Sequence, residues 1–222
     1  MRKGKLIVFE GIDGSGKTIQ VNLLADYLKA KNIPFEIISF PRYENNLYGK
    51  LIRRYLEGEF GSLQEVNPYL VALAYADDRV LAKDLIRGWL NDGKVVIANR
   101  YVSSSKAHLG ANLAEEKRQE FINWIEQLEY QTNKIPRENL TIFLKLEPKI
   151  GQQNILDENE LDIHEGDLGY QTKTDKIYQE LAASPNWYTV NCMGSGKMRM
   201  PEDIHQEIVK LLHSNMLLLL EK

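Results

Sequence analysis

The string GSGK occurs twice in this 222-residue chain, at 14–17 and again at 194–197. A glycine-rich loop ending in lysine can hold phosphate, because glycines let backbone N–H groups turn inward while the lysine adds a point charge. That chemistry needs G-x-x-x-x-G-K-[ST] between a strand and a helix. Gly11, Gly16, Lys17 and Thr18 satisfy it, with Ile12, Asp13, Gly14 and Ser15 filling the loop. The later copy has Asn191 in place of the first glycine and Met198 in place of the hydroxyl, and reads as a turn. In the first copy the loop amides and the following helix N-terminus would bind phosphate oxygens. Lys17 would reach the β- and γ-phosphates, and the Thr18 hydroxyl would ligate Mg²⁺.

Such a loop leaves the reaction open among a GTPase, a motor-type ATPase and a small-molecule kinase. NKIP (133–136) resembles the start of a guanine-reading N-K-x-D but has Pro136 where the aspartate belongs. The run VVIAN ends in Asn99 rather than the acidic residue of a motor ATPase. Four clusters follow strand ends: Asp13 in the loop, FPRY (40–43), YADDR (75–79) and NRYVSSSKAH (99–108). Open α/β sheets bind ligands at such ends. Arginine matches a phosphate bidentately and an aromatic face stacks on a base.

The elements that must position these clusters are legible as alternating runs. KLIVFE (5–10), FEIISF (35–40), KVVIAN (94–99), LTIFLKL (140–146) and WYTVNC (187–192) read as strands, the first and third of them apolar enough to be buried on both faces. Helical periodicity starts at Thr18 and recurs around Leu47–Leu56, from Asn67–Pro68 to about Leu90, and at about 114–132, 148–156 and 165–183. A last helix starts after Pro201. Strands alternating with helices predict a doubly wound, five-stranded parallel sheet flanked by helices, of P-loop NTPase type, in a single domain over residues 1–222.

Composition narrows the partners. The chain is 43% hydrophobic and 27% charged with a formal net charge of −3, so no basic excess points to a nucleic-acid polymer. The single cysteine, Cys192, suits a reducing compartment. The N-terminal apolar run is too short for a secretory signal, and MLLLL near the C-terminus is too short to span a membrane, so a cytoplasmic protein is expected.

The ordered set of motifs, FEGIDGSGKT, then FPRY, then an aromatic four residues before Arg79, then NRYVSS, resembles the thymidylate kinase family over nearly the whole chain. The resemblance implies ATP:dTMP phosphotransfer with Mg²⁺, and a homodimer packed through helices, with 67–90 as a candidate face. Carried over by position, Asp13 would hold the sugar 3′-hydroxyl and help organise the phosphates. Arg42, with Phe40 and Tyr43 beside it, and Arg100 would bind the acceptor phosphate. Tyr75 would stack on thymine and Arg79 would bond its carbonyl edge. Ser104, Ser105 and His108 would surround base and sugar. Asp13, Lys17, Arg42 and Arg100 form the expected catalytic set. Another nucleotide or nucleoside kinase of the same fold, or a non-catalytic dTMP-binding protein, are the rivals.

Three departures accompany the resemblance. Asn99 stands for the aspartate of D-R-Y, keeping a carbonyl oxygen to reach the metal through water but losing the charge. His108 stands for Tyr or Phe. The lid, expected at about 149–165, has no arginine: none occurs between Arg137 and Arg199, and Gly14 is not arginine either.

Overall fold

The computed structural model describes residues 3–156, 164 and 167–214. Five parallel strands, β1 (Lys5–Glu10), β2 (Phe35–Ser39), β3 (Val95–Asn99), β4 (Leu140–Lys145) and β5 (Trp187–Asn191), form one sheet in the order β2-β3-β1-β4-β5. Strand β1 therefore lies between β3 and β4, with Phe9 beside Asn99 and Glu10 beside Phe143. The carboxyl ends of β1 and β3 lie side by side, and each opens directly into a predicted cluster.

Continuous apolar runs make this arrangement. Leu6 to Phe9 in β1, Val95 to Ala98 in β3, and Leu140, Ile142, Phe143 and Leu144 in β4 are all buried, because helices cover both faces of these central strands. Each large aliphatic or aromatic side chain so withdrawn from water contributes about 1.5–3 kcal/mol. One contiguous core runs from Leu6 to Leu212.

The helices are α1 (Lys17–Ala30), α2 (Leu47–Leu56), α3 (Pro68–Val80), α4 (Lys83–Asn91), α5 (Val102–Gly110), α6 (Glu115–Glu126), α7 (Pro148–Leu156), α8 (Leu168–Leu181) and α9 (Pro201–Ser214). Asn67 caps α3 by accepting a hydrogen bond from the Tyr69 N–H, with Pro68 in the first turn, as the sequence predicts. The single helix expected from there to Leu90 is instead two, α3 and α4, separated at Leu81–Ala82. The helix expected over 114–132 is α6 followed by a π-helical turn, Gln127–Thr132. VSSSKAHLG, whose serines suggest a loop, is helix α5. The second GSGK is a turn, as its missing residues imply, and joins two-residue strands β6 (Met193–Gly194) and β7 (Lys197–Met198). Of the lid, α7 and His164 are described, whereas residues 157–163 and 165 lie outside the described residues, as does MLLLL. Among the described residues no helix is long and apolar enough to cross a membrane.

Candidate active site

The phosphate loop runs from the end of β1 into α1, and its glycines are required by shape. Gly11, Gly14 and Gly16 have φ of 146°, 72° and 84°, values that L side chains rarely adopt. A Cβ at Gly14 would stand 2.1 Å from the Gly151 carbonyl oxygen of α7, so the loop and that helix meet backbone to backbone. Asn154 of α7 adds a bond from Nδ2 to the Gly14 carbonyl at 2.9 Å. Lys17 is buried, and its Nζ donates to the carbonyls of Gly11 at 3.1 Å and Ile12 at 2.7 Å.

Across from the loop lies an open cavity lined by both polar and apolar side chains, as small-ligand sites are. Its walls are Asp13, Pro41, Tyr43, Leu56, Tyr75, Arg100, Ser104, Ser105, His108, Leu109 and His164. Asp13, Tyr43, Tyr75, Arg100, Ser104, Ser105 and His108, scattered over the sequence motifs, therefore meet in one place. Leu56, Leu109 and His164 join them.

Arg100 organises the floor. It sits at φ 65°, an uncommon left-handed position for a bulky residue, with its N–H bonded to the Phe9 carbonyl at 2.9 Å. Its guanidinium pairs with Asp13 and donates to the Gly11 carbonyl at 3.3 Å and Ser104 Oγ at 3.2 Å. Burial alone would raise the Asp13 pKa, but the charges of Arg100 and then Lys17 outweigh it and hold the carboxyl well below the usual range. Burial opposes charge on Arg100 too, and the Asp13 carboxylate outweighs that, so the guanidinium is held more firmly charged.

The two histidines make a stacked wall, with ring centroids 5.7 Å apart and planes inclined by 12°. Burial, followed by the nearby Arg100 charge, pushes His108 well below its ordinary pKa. Burial likewise pushes His164 down to about 4, against a partial pull from Asp13. Both rings are therefore neutral near pH 7. His108 Nε2 lies 3.0 Å from Arg100 Nη1, where a neutral ring nitrogen can accept.

Three residues expected around the acceptor do not line the cavity. Phe40 belongs to the core against Tyr101, and Pro41 lines the wall in its place. Arg42 is held beside α3 by Asp78, with Nε 2.9 Å from Oδ1 and Nη2 2.8 Å from the Asp78 carbonyl. Arg79 is expected at the carbonyl edge of the base. Its side chain is instead 1% exposed and lies behind Ser105, because Glu129 draws the guanidinium into the core. Sequence reasoning also missed Glu10, which accepts from the Tyr101 and Ser104 amides at 2.9 and 3.1 Å and from Ser104 Oγ at 2.6 Å. A carboxylate closing an apolar strand just before a phosphate loop was the available signal.

For Mg²⁺ the donor set is sparse but of the right kind. Asn99 Nδ2 lies 3.2 Å from Thr18 Oγ1, and Asn99 Oδ1 is buried without a hydrogen-bond partner. Mg²⁺ is held by few protein oxygens where phosphates and water supply the rest, so a hydroxyl and an orphaned carbonyl oxygen fit it. No group of three or more His, Cys, Asp or Glu that could hold a metal occurs among the described residues.

A phosphate loop facing an arginine-floored, aromatic-walled cavity across the ends of β1 and β3 defines a P-loop kinase of the nucleoside monophosphate class. The family model for thymidylate kinase matches residues 9–208. The chain is 34% identical over 218 residues to a probable thymidylate kinase of Pyrococcus horikoshii, covering 97% of this chain and 98% of that one. It is 30% identical over 209 residues to the thymidylate kinase of Plasmodium falciparum, covering 94% and 90%. The fold matches the solved thymidylate kinase of Candida albicans with a TM-score of 0.77 at 23% identity, over 97% of this chain and 93% of that one. This chain belongs to the thymidylate kinase family.

Proposed function

We propose that this chain transfers the γ-phosphate of ATP to dTMP, giving dTDP, with the donor phosphates on residues 11–18 and dTMP in the cavity. The kinase activity follows from the family. The observation that carries the placement of the two substrates is the Asp13–Arg100 pair, which ties the phosphate loop to the floor of the cavity.

Lys17 and the loop amides hold the donor phosphates, where Lys17 exchanges its carbonyl partners for phosphate oxygens. Arg100 meets the acceptor phosphate from the floor, and Arg42, which Asp78 holds outside the cavity lining, is the second phosphate contact that the family resemblance implies. Tyr75 stacks on the base, and Tyr43, Ser104, Ser105 and His108 enclose base and sugar. Thr18, and Asn99 through water, would hold Mg²⁺, which would supply positive charge to neutralise the donor phosphates. Positioning and neutralisation are the protein's main work in phosphoryl transfer, and a phosphate acceptor needs no strong base.

We also read the chain as one kinase domain and as a cytoplasmic homodimer. The exposed apolar side chains Leu51, Phe60, Leu70 and Leu73 on and around α2 and α3 support the dimer face. Turnover of purified protein with ATP, Mg²⁺ and each of dTMP, dUMP, UMP, dGMP and thymidine tests the activity. Failure to phosphorylate dTMP under conditions where another acceptor turns over would overturn it.

A further inference from the structure

Helix α6 buries Phe121 and Ile125, four residues apart, against the core. The next position of that stripe, Glu129, is a carboxylate with 0% exposure. A charge where the stripe calls for an apolar residue is a local conflict of the kind that marks a functional position. The backbone there is also unusual, since Glu129 lies within the π-helical turn Gln127–Thr132, and such turns are rare and frequent at functional sites.

Glu129 makes its contacts with Arg79. Its Oε1 accepts from Arg79 Nε at 2.8 Å and from Nη2, while its Oε2 is buried without a hydrogen-bond partner. The pair is not a surface tether, because neither side chain sees water. Apolar residues of similar volume can replace a buried ion pair at little or no loss of stability, so stability is weak grounds for keeping it. Its second connection gives it a use. Arg79 Nη2 donates to Ser105 Oγ at 2.8 Å, and Ser105 lines the cavity.

A hydroxyl has one proton and two lone pairs. When Ser105 Oγ accepts from Arg79, its own proton remains to be donated, and the adjoining cation strengthens that donor. A donor at this wall favours a nucleobase edge carrying a carbonyl over one carrying an amino group. We infer that Glu129 is a positioning residue for base selection, acting through Arg79 and Ser105 to favour a keto pyrimidine over an amino pyrimidine. The inference rests on the acceptor-site reading above and names a residue which that reading does not contain.

The test compares kcat/KM for dTMP and dCMP, at saturating ATP and Mg²⁺, in wild type, Glu129→Gln and the double variant Arg79→Met/Glu129→Gln. The ratio of the two values is insensitive to the fraction of protein that is folded, and the double variant removes both buried charges together should the single one fold poorly. We expect the dTMP preference to fall about tenfold in each folded variant, through a raised KM for dTMP, with KM for ATP unchanged. A wild-type preference retained in either variant overturns the inference while leaving the kinase reading intact. A wild-type protein that does not phosphorylate dTMP overturns the kinase reading, and the inference with it.

Discussion

The cations of the donor loop and of the acceptor side are restrained in different ways. Lys17 donates to the Gly11 and Ile12 carbonyls of its own loop, with the Asp13 carboxylate near enough to feel its charge, whereas the guanidinium groups of Arg42, Arg79 and Arg100 are each bonded to a carboxylate, Asp78, Glu129 and Asp13. A carbonyl is readily exchanged for the oxygen of an arriving phosphate, which offers more charge. A carboxylate is a stronger partner: it fixes the plane of a guanidinium and cancels much of its net charge. The donor side thus favours exchange and the acceptor side orientation, which matters more where a base and a sugar must be recognised as well.

The contrast is broken most severely at Lys17. Lys17→Ala removes the point charge of the loop, and kcat should fall by roughly 10² to 10³-fold. A coupled assay reads this, and unchanged turnover would place the donor elsewhere. On the acceptor side, Tyr75→Ala should weaken dTMP binding by roughly 1 to 3 kcal/mol while leaving ATP binding alone, as titration calorimetry would show. Weaker ATP binding instead would move Tyr75 out of the acceptor wall.

The histidine wall gives a pH test of the acceptor side. His164 is held neutral down to about 4, whereas an unfolded histidine takes up its proton near 6.5. A lowered folded-state pKa means that the unfolded chain binds more protons in this window. Stability is therefore full above about pH 6.5 and declines as the pH falls toward 4. Between about pH 7 and 5 this one ring should remove roughly 1 to 2 kcal/mol, and His164→Phe should flatten the profile by that amount in urea unfolding. An equal slope in the variant would show that His164 does not titrate as its burial requires.

Two smaller effects sharpen the donor side. Asn99→Asp restores a charge beside Thr18 and should lower the Mg²⁺ concentration for half-maximal rate; no change would remove Asn99 from the metal. Lys197→Ala, in the second GSGK, should leave turnover near wild type, because Lys197 is exposed on its turn. A large loss would bring the β6–β7 turn into the donor site.

What the sequence disclosed depended on how local each cause was. The central strands were legible because burial on both faces leaves a continuous apolar run, and the phosphate loop because its glycines answer to backbone shape. Helix α5 was not legible: its serines favour loops, and amides at its start are satisfied by Glu10, more than 90 positions earlier, a contact with no local trace. The recess of Arg79 was hidden for the same reason, since its carboxylate lies 50 positions away on a π-helical turn. The break between α3 and α4 falls at leucine and alanine, both good helix formers, so propensity gave no warning.

The facing glycines of the phosphate loop and α7 also constrain how this sequence can drift. An arginine at Gly14 would have to enter at φ 72° with its Cβ 2.1 Å from the Gly151 carbonyl. Nor can Gly151 change first, for a Cβ there would lie 2.6 Å from the Asp13 carbonyl. The backbone of each segment blocks a side chain on the other, so neither single step is open while the two backbones stay in place. A lineage descending from this chain reaches an arginine at position 14 only after helix α7 has moved away.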